Sequence, residues 1–234
     1  MGLQDAFSSN RSISGTLTVT QGTFNANIYN VSLIGANSTF SSNNTNTRTI
    51  GIGSGTWTIA GPGTVWDATT GTNLTITGTG TISLTNASAK TFGGGSNISY
   101  SGITLNQGGA GTLSMFNSNT LNTITNSYSA TGATSISLSN QTTTLTQPWA
   151  AKGEAGRLLT ITGTSAASPA TLIYSGGGVI SGVDYVVPTF VRAYPTTTTW
   201  YAGANSTNGG SLGWIFTAPP SGAAATGNFL MFFQ

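Results

Sequence analysis

Short apolar-x-apolar triplets return along residues 49–124 at a near-constant interval, each flanked by Gly, Ser, Thr and Asn. One series is Ile50/Ile52, Leu74/Ile76, Ile98/Tyr100 and Leu121 with Ile124, whose first members lie 24, 24 and 23 residues apart. A second series, Trp57/Ile59, Ile82/Leu84 and Ile103/Leu105, interleaves with it at steps of 25 and 21. Each triplet puts two apolar side chains on one face of a short strand. A fixed period of roughly 20 to 30 residues marks a solenoid, in which every turn leaves an apolar face open until a neighbour stacks on it. The expected fold is therefore all-β: a parallel β-helix or solenoid of short strands, ending in an aromatic-rich C-terminal cap.

Composition narrows the alternatives. Charged residues are 4% of the 234, against about a quarter in an ordinary soluble domain. Apolar residues are 37% and alternate with polar ones, which a disordered chain lacks, and no apolar run approaches the roughly 18 residues of a membrane span. What remains is a β-structure covered by hydroxyls and amides, without membrane insertion. The basic residues Arg11, Arg48, Lys90, Lys152, Arg157 and Arg192 are scattered, so no patch tracks phosphates and no nucleic-acid partner is expected. Cysteine is absent, which excludes disulfides and thiolate metal sites.

Along the chain, residues 1–11 read as a polar leader without the basic and apolar stretches of a secretion signal. Residues 12–146 read as the solenoid shaft. The segment 147–157 (QPWAAKGEAGR) breaks the alternation and reads as a projecting loop or a joint. Residues 158–217 form a C-terminal β-region or cap, where Tyr185, Phe190, Tyr194, Trp200, Tyr201, Trp214 and Phe216 would cover the open end. Residues 218–234 are a tail with an apolar end. Phe229, Leu230, Met231, Phe232 and Phe233 would be an aggregation hazard in water, so an oligomer or docking contact is expected there.

The residues offer little to catalysis. There is no His and no Cys, removing the usual general base, the thiol nucleophile and most transition-metal ligands. The four carboxylates are Asp5, Asp67, Glu154 and Asp184. Glycan cleavage asks for two carboxylates about 5 to 10 Å apart. Asp67 and Asp184 would meet only if distant turns approached each other or across a subunit boundary, and the plainer reading has them bonding to backbone at strand ends. The Gly-rich segments lack the Lys-Ser/Thr of a phosphate loop, and Asp is too sparse for calcium repeats. No enzyme activity and no cofactor are expected. Trp57 falls at an alternating apolar position and reads as core. Trp149, beside Pro148, reads as an exposed contact for a partner or glycan. Lys152, Glu154 and Arg157 are either part of that contact or a solvated loop face.

The blocks Thr49-Ile50-Gly51-Ile52, Gly55-Thr56-Trp57-Thr58-Ile59-Ala60-Gly61, Gly63-Thr64-Val65-Trp66-Asp67, Gly80-Thr81-Ile82-Ser83-Leu84 and Thr91-Phe92-Gly93-Gly94-Gly95 resemble those of Gly/Ser/Thr/Asn-rich β-solenoid proteins of tailed bacteriophages and aquatic bacteria. Val183-Asp184-Tyr185, Trp200-Tyr201-Ala202-Gly203 and Gly213-Trp214-Ile215-Phe216 are similar to the C-terminal ends of the same group. The resemblance implies a structural part of a virion exterior, such as a fibre, spike or capsid decoration, and supplies no catalytic residue. On that reading the chain is made in the host cytoplasm and placed on the virion surface. Its partners would be further copies of itself, as a trimer, other capsid or tail proteins, and a host cell-surface glycan. The alternatives are a secreted bacterial β-helical adhesin and, more remotely, a polysaccharide-degrading tailspike.

Overall fold

The computed structural model of the chain describes residues 2–9, 15–96, 98–129, 132–174 and 176–221. Among these residues there is no helix, and every pairing between named strands is parallel. The chain is a β-solenoid. One side of it is an eight-stranded sheet that takes one strand from each turn, from Thr16–Thr18 through Gly63–Asp67 and Gly111–Phe116 to Val186–Thr189. A nine-stranded sheet covers the others. Its long strands Ser99–Gln107 and Asn119–Asn126 bend round a corner and so belong to two sides, with a register shift between Tyr100 and Thr104. A three-stranded sheet, Gly22–Asn25, Arg48–Gly53 and Leu74–Gly78, completes the early turns.

The alternation in the sequence becomes ladders along the axis. Val31, Trp57, Ile82, Leu105 and Ile124 are successive rungs of one ladder, and Leu17, Phe40, Trp66, Phe92 and Met115 of another. A bulge at Val65 lets it and Trp66 both turn inward, where both are fully buried. The expected register needs correcting in two places. Ile50 pairs with Ile76, while Leu74 pairs with Arg48, and Ile82 pairs with Leu105 instead of Ile103. A change of register follows at the next corner, between the Gly51–Thr77 and Gly53–Gly78 pairs. Gly53 and Gly78 stack there with positive φ, and a Cβ on Gly53 would lie 1.7 Å from the carbonyl oxygen of Asn27. Only glycine fits that approach, and the one extra residue there, Ile52, moves the pairing by one, from a separation of 26 to 25.

Asparagine does more than make turns. Carboxamides of Asn46, Asn73, Asn86 and Asn126 each donate to a backbone carbonyl of an adjacent turn, on Thr20, Thr45, Ala60 and Lys152 respectively. Each replaces a corner hydrogen bond that the ladder itself cannot make.

The stacking does not stop at residue 146. Leu159–Thr162 and Val186–Thr189 extend the eight-stranded sheet, and Ala170–Tyr174 and Val191–Tyr194 extend the nine-stranded one, so the shaft runs past the segment expected to end it. Residues 148–151 follow the path of a turn without a regular strand, with the Ala150 N–H donating to Ile124 O. Beyond Tyr194 the turns shorten. Ile180, Trp200 and Trp214 stack as rungs of a last three-stranded sheet, and Trp200 meets Trp214 edge-on at 5.4 Å, forming the aromatic C-terminal end.

Candidate interaction surfaces

The residues singled out in the sequence divide between interior and surface. Trp149 is a correction. It is 1% exposed, and its Nε1–H donates to Ala151 O at 2.7 Å, so it is core and offers no ring to a partner. The reason is local: residues 148–151 lack a strand, and the indole fills the interior volume that strand side chains would occupy. Trp57 lies in the core as expected. Its Nε1–H donates to Ile52 O at 3.0 Å.

Lys152 and Glu154 are exposed and Arg157 half-buried. Glu154 and Arg157 close a tight turn by exchanging backbone hydrogen bonds, with Gly156 at φ +77° inside it, and Arg157 Nη2 meets Glu154 Oε2 at 2.5 Å. Asp184 joins this corner, because the Gly153 N–H donates to its carbonyl. Its carboxylate accepts from the N–H groups of Tyr185 and Asn205 and from Asn205 Nδ2, at 2.8 to 3.0 Å. Burial works to raise its pKa. The Asn205 side chain, the two backbone donors and the charge of Lys152 outweigh that and hold the carboxyl below its usual range. Four of the chain's ten charges thus share one corner, two of each sign.

Asp67 is elsewhere. Its carboxylate accepts from Asn43 Nδ2 and from the Thr69 hydroxyl and N–H. Five strand steps of the eight-stranded sheet separate the turns that carry Asp67 and Asp184, roughly 24 Å at about 4.8 Å per step. One chain does not bring them together as a carboxylate pair. Among the described residues no three His, Cys, Asp or Glu side chains gather to hold a metal. Phe229, Leu230, Met231, Phe232 and Phe233 lie outside the described residues.

Two features escaped the pattern. The first is a pair of buried cations. Arg48 and Lys90 are 1% and 0% exposed, at the inward rungs Gly22–Arg48–Leu74 and Gly63–Lys90–Leu113. Arg48 donates to carbonyls of Ser42, Asn46, Thr70 and Thr72, tying the corner loops of two turns, and burial lowers its pKa. Lys90 Nζ donates to Asn86 O and Ala110 O at 2.9 and 2.6 Å, and burial pulls its pKa down to about 8. The second is a rank of hydroxyls. Thr64, Thr91, Ser114, Ser137, Thr162 and Thr189 are consecutive rungs on the outer face of the eight-stranded sheet. Thr112, Ser135 and Thr160 run beside them, with 2.7 Å between the first two hydroxyls. Thr or Ser on both sides of Leu113, Ile136 and Ile161 was the signal for this rank.

Comparison with protein-family models, with curated proteins and with solved structures finds no match for this chain.

Proposed function

We propose that the chain is a structural component of a virion exterior, a fibre or capsid decoration, that assembles as a homotrimer and meets host-surface glycan without cleaving it. The observation that carries this reading is the unbroken run of parallel rungs whose outer face is uncharged hydroxyl. Such a rod derives its rigidity from hydrogen bonds between turns and needs neither metal nor disulfide. Its surface interacts through neutral hydrogen bonding, which is insensitive to salt. The acid separation within the chain favours contact over hydrolysis. The charged corner of Lys152, Glu154, Arg157 and Asp184 gives one place where a protein neighbour, such as a capsid or tail protein, is recognised by charge. Mass spectrometry and antibody labelling of purified particles test the location: the protein on the particle exterior supports the reading, and its absence from intact particles contradicts it. Light scattering on the full chain tests the trimer.

A further inference from the structure

The last coil of the shaft ends on an open strand edge. The N–H groups of Thr207 and Gly209 donate to Val186 O and Pro188 O, and Leu212 bonds to Val191 O and the Ala193 N–H, so residues 207–212 lay one more partial turn on the two large sheets. Trp214–Ile215 is then the outermost strand of the three-stranded sheet. The Ala202 N–H donates to Ile215 O, so the backbone of Ile215 faces the paired side, and Trp214 turns its N–H and C=O to the open side. Among the described residues no strand pairs with that edge, and Leu212 and Ile215 of the same coil are exposed.

An open edge beside apolar side chains is a template for further pairing. Residues 216–221 cannot supply the ladder, because Pro219 and Pro220 have no N–H to donate. Residues 222–234 can. They hold no charge and no proline, and 229–233 are the next large apolar residues after Phe216. Their spacing also fits. Rungs at this end step by 20 from Ile180 to Trp200 and by 14 from Trp200 to Trp214, and Phe229 follows Trp214 by 15. Residues 202–213 carry the chain from Tyr201 round to Trp214, and 216–228, one residue longer, are available between Ile215 and Phe229. Both meet the length of about a dozen residues that a parallel crossover needs.

We infer that residues 229–231 dock on the open edge of Trp214–Ile215 of their own chain as a fourth parallel strand, with Phe229 over Trp214 and Leu230 over Ile215. The N–H and C=O of Trp214 then gain ladder partners. Phe229 and Met231 continue the inward rank of Trp200 and Trp214. Leu230 falls on the outer rank beside Ile215, which is itself apolar and exposed. The tether selects the chain's own tail over that of a second copy, because it holds the segment at a millimolar effective concentration. Docked there, the tail ends the ladder and leaves this end no edge on which another chain can pair. The inference concerns the shaft end alone and does not depend on the virion reading.

Two measurements on the full chain test it. In hydrogen exchange the Trp214 amide should be protected. Phe229→Asp with Met231→Asp should speed its exchange by about tenfold or more, while amides of the strand Val186–Thr189 keep their rates. A Trp214 amide that exchanges freely in the unaltered chain, or protection that survives the double substitution, would overturn the inference. The second measurement uses the lack of cysteine in the sequence. Ile215→Cys with Leu230→Cys sets the two Cα atoms one strand step apart, about 4.8 Å, whereas Tyr201→Cys with Leu230→Cys sets them two steps apart and beyond disulfide reach. Mild oxidation should close the first pair within the monomer and leave the second reduced. Equal closure of both pairs would show a tail with no fixed place, and disulfide-linked dimers from the first pair would give the edge to a second copy. Either result contradicts docking within the chain.

Discussion

The first turns and the later ones share a path and differ in what fills it. Between Phe24 and Tyr100 the interior is a connected set of rings. Trp66 stacks between Phe40 and Phe92 at 4.2 and 6.0 Å, Trp57 meets Phe24, Phe40 and Trp66 edge-on, and Tyr100 closes the set by accepting from Trp66 Nε1. Both buried cations sit in this half. From Leu113 to Val191 the rungs are mostly Leu, Ile and Val, with Trp149 where a strand is missing. A solenoid therefore does not prescribe its filling. Aromatic rungs concentrate packing energy in a few residues, whereas aliphatic rungs spread it evenly, and each edge-on or stacked ring pair adds about 0.5–1.5 kcal/mol beyond its buried area.

The largest effect expected from this contrast is at Trp66. Trp66→Ala should cost about 3–5 kcal/mol in denaturant unfolding, against about 0.5–1.5 kcal/mol for Ile161→Val in the aliphatic half. Similar losses at the two sites would erase the distinction. Next is Arg48→Met, which leaves the carbonyls of Ser42, Asn46, Thr70 and Thr72 without their donor. It should cost about 2 kcal/mol, since Ser42 is buried and an orphaned buried group costs about 1–3 kcal/mol, while the exposed Asn46 and Thr72 regain water. Faster exchange of the amides in residues 42–48 and 70–74 would locate the damage.

Lys90 sharpens the comparison through pH. Its pKa falls from 10.5 unfolded to about 8 folded, so between those values the unfolded chain binds more protons, and stability rises with pH. From pH 7.5 to 9.5 the gain should be about 1–2 kcal/mol by thermal or denaturant unfolding. Above about pH 10 the trend reverses, because burial raises the Tyr100 hydroxyl well above its ordinary value and the unfolded chain loses that proton first. Lys90→Met should flatten the rise; a slope that survives it assigns the effect to another group. The smallest change belongs to the later half. Glu154→Gln removes a surface ion pair and should shift stability by only about 0–1 kcal/mol.

The fold was legible because a solenoid repeats its evidence: Trp57 with Ile82 is visible as a step of 25 in the sequence, and the structure pairs them. The register of the other series was not. Whether Ile50 meets Leu74 or Ile76 depends on how many residues each corner takes, as where Ile52 is extra between the Gly51–Thr77 and Gly53–Gly78 pairs, and spacing alone carries no such information. In the sequence Arg48 and Lys90 are two of six scattered basic residues, and nothing there marks them as buried, because composition says nothing of carbonyl cages built from loops up to 24 residues away. Trp149 misled for the converse reason, since its neighbours Pro148, Lys152 and Glu154 mark a surface loop while the ring itself turns inward. Lys152, Glu154 and Arg157 were found together, but Asp184 joined them only through the stacking of one turn on the next.

The central claim is that successive turns stack in parallel, in the register that aligns Ser114, Ser137 and Thr162 on one rank. The chain contains no cysteine, so pairs introduced on that outer face report the register without background. Ser137→Cys with Thr162→Cys places the two Cα atoms one strand step apart, about 4.8 Å, within disulfide reach, whereas Ser114→Cys with Thr162→Cys places them two steps apart and beyond it. Mild oxidation should close the first pair within the monomer and leave the second open. Closure of the second pair, with the first remaining reduced, would contradict the stacked architecture on which every other statement depends.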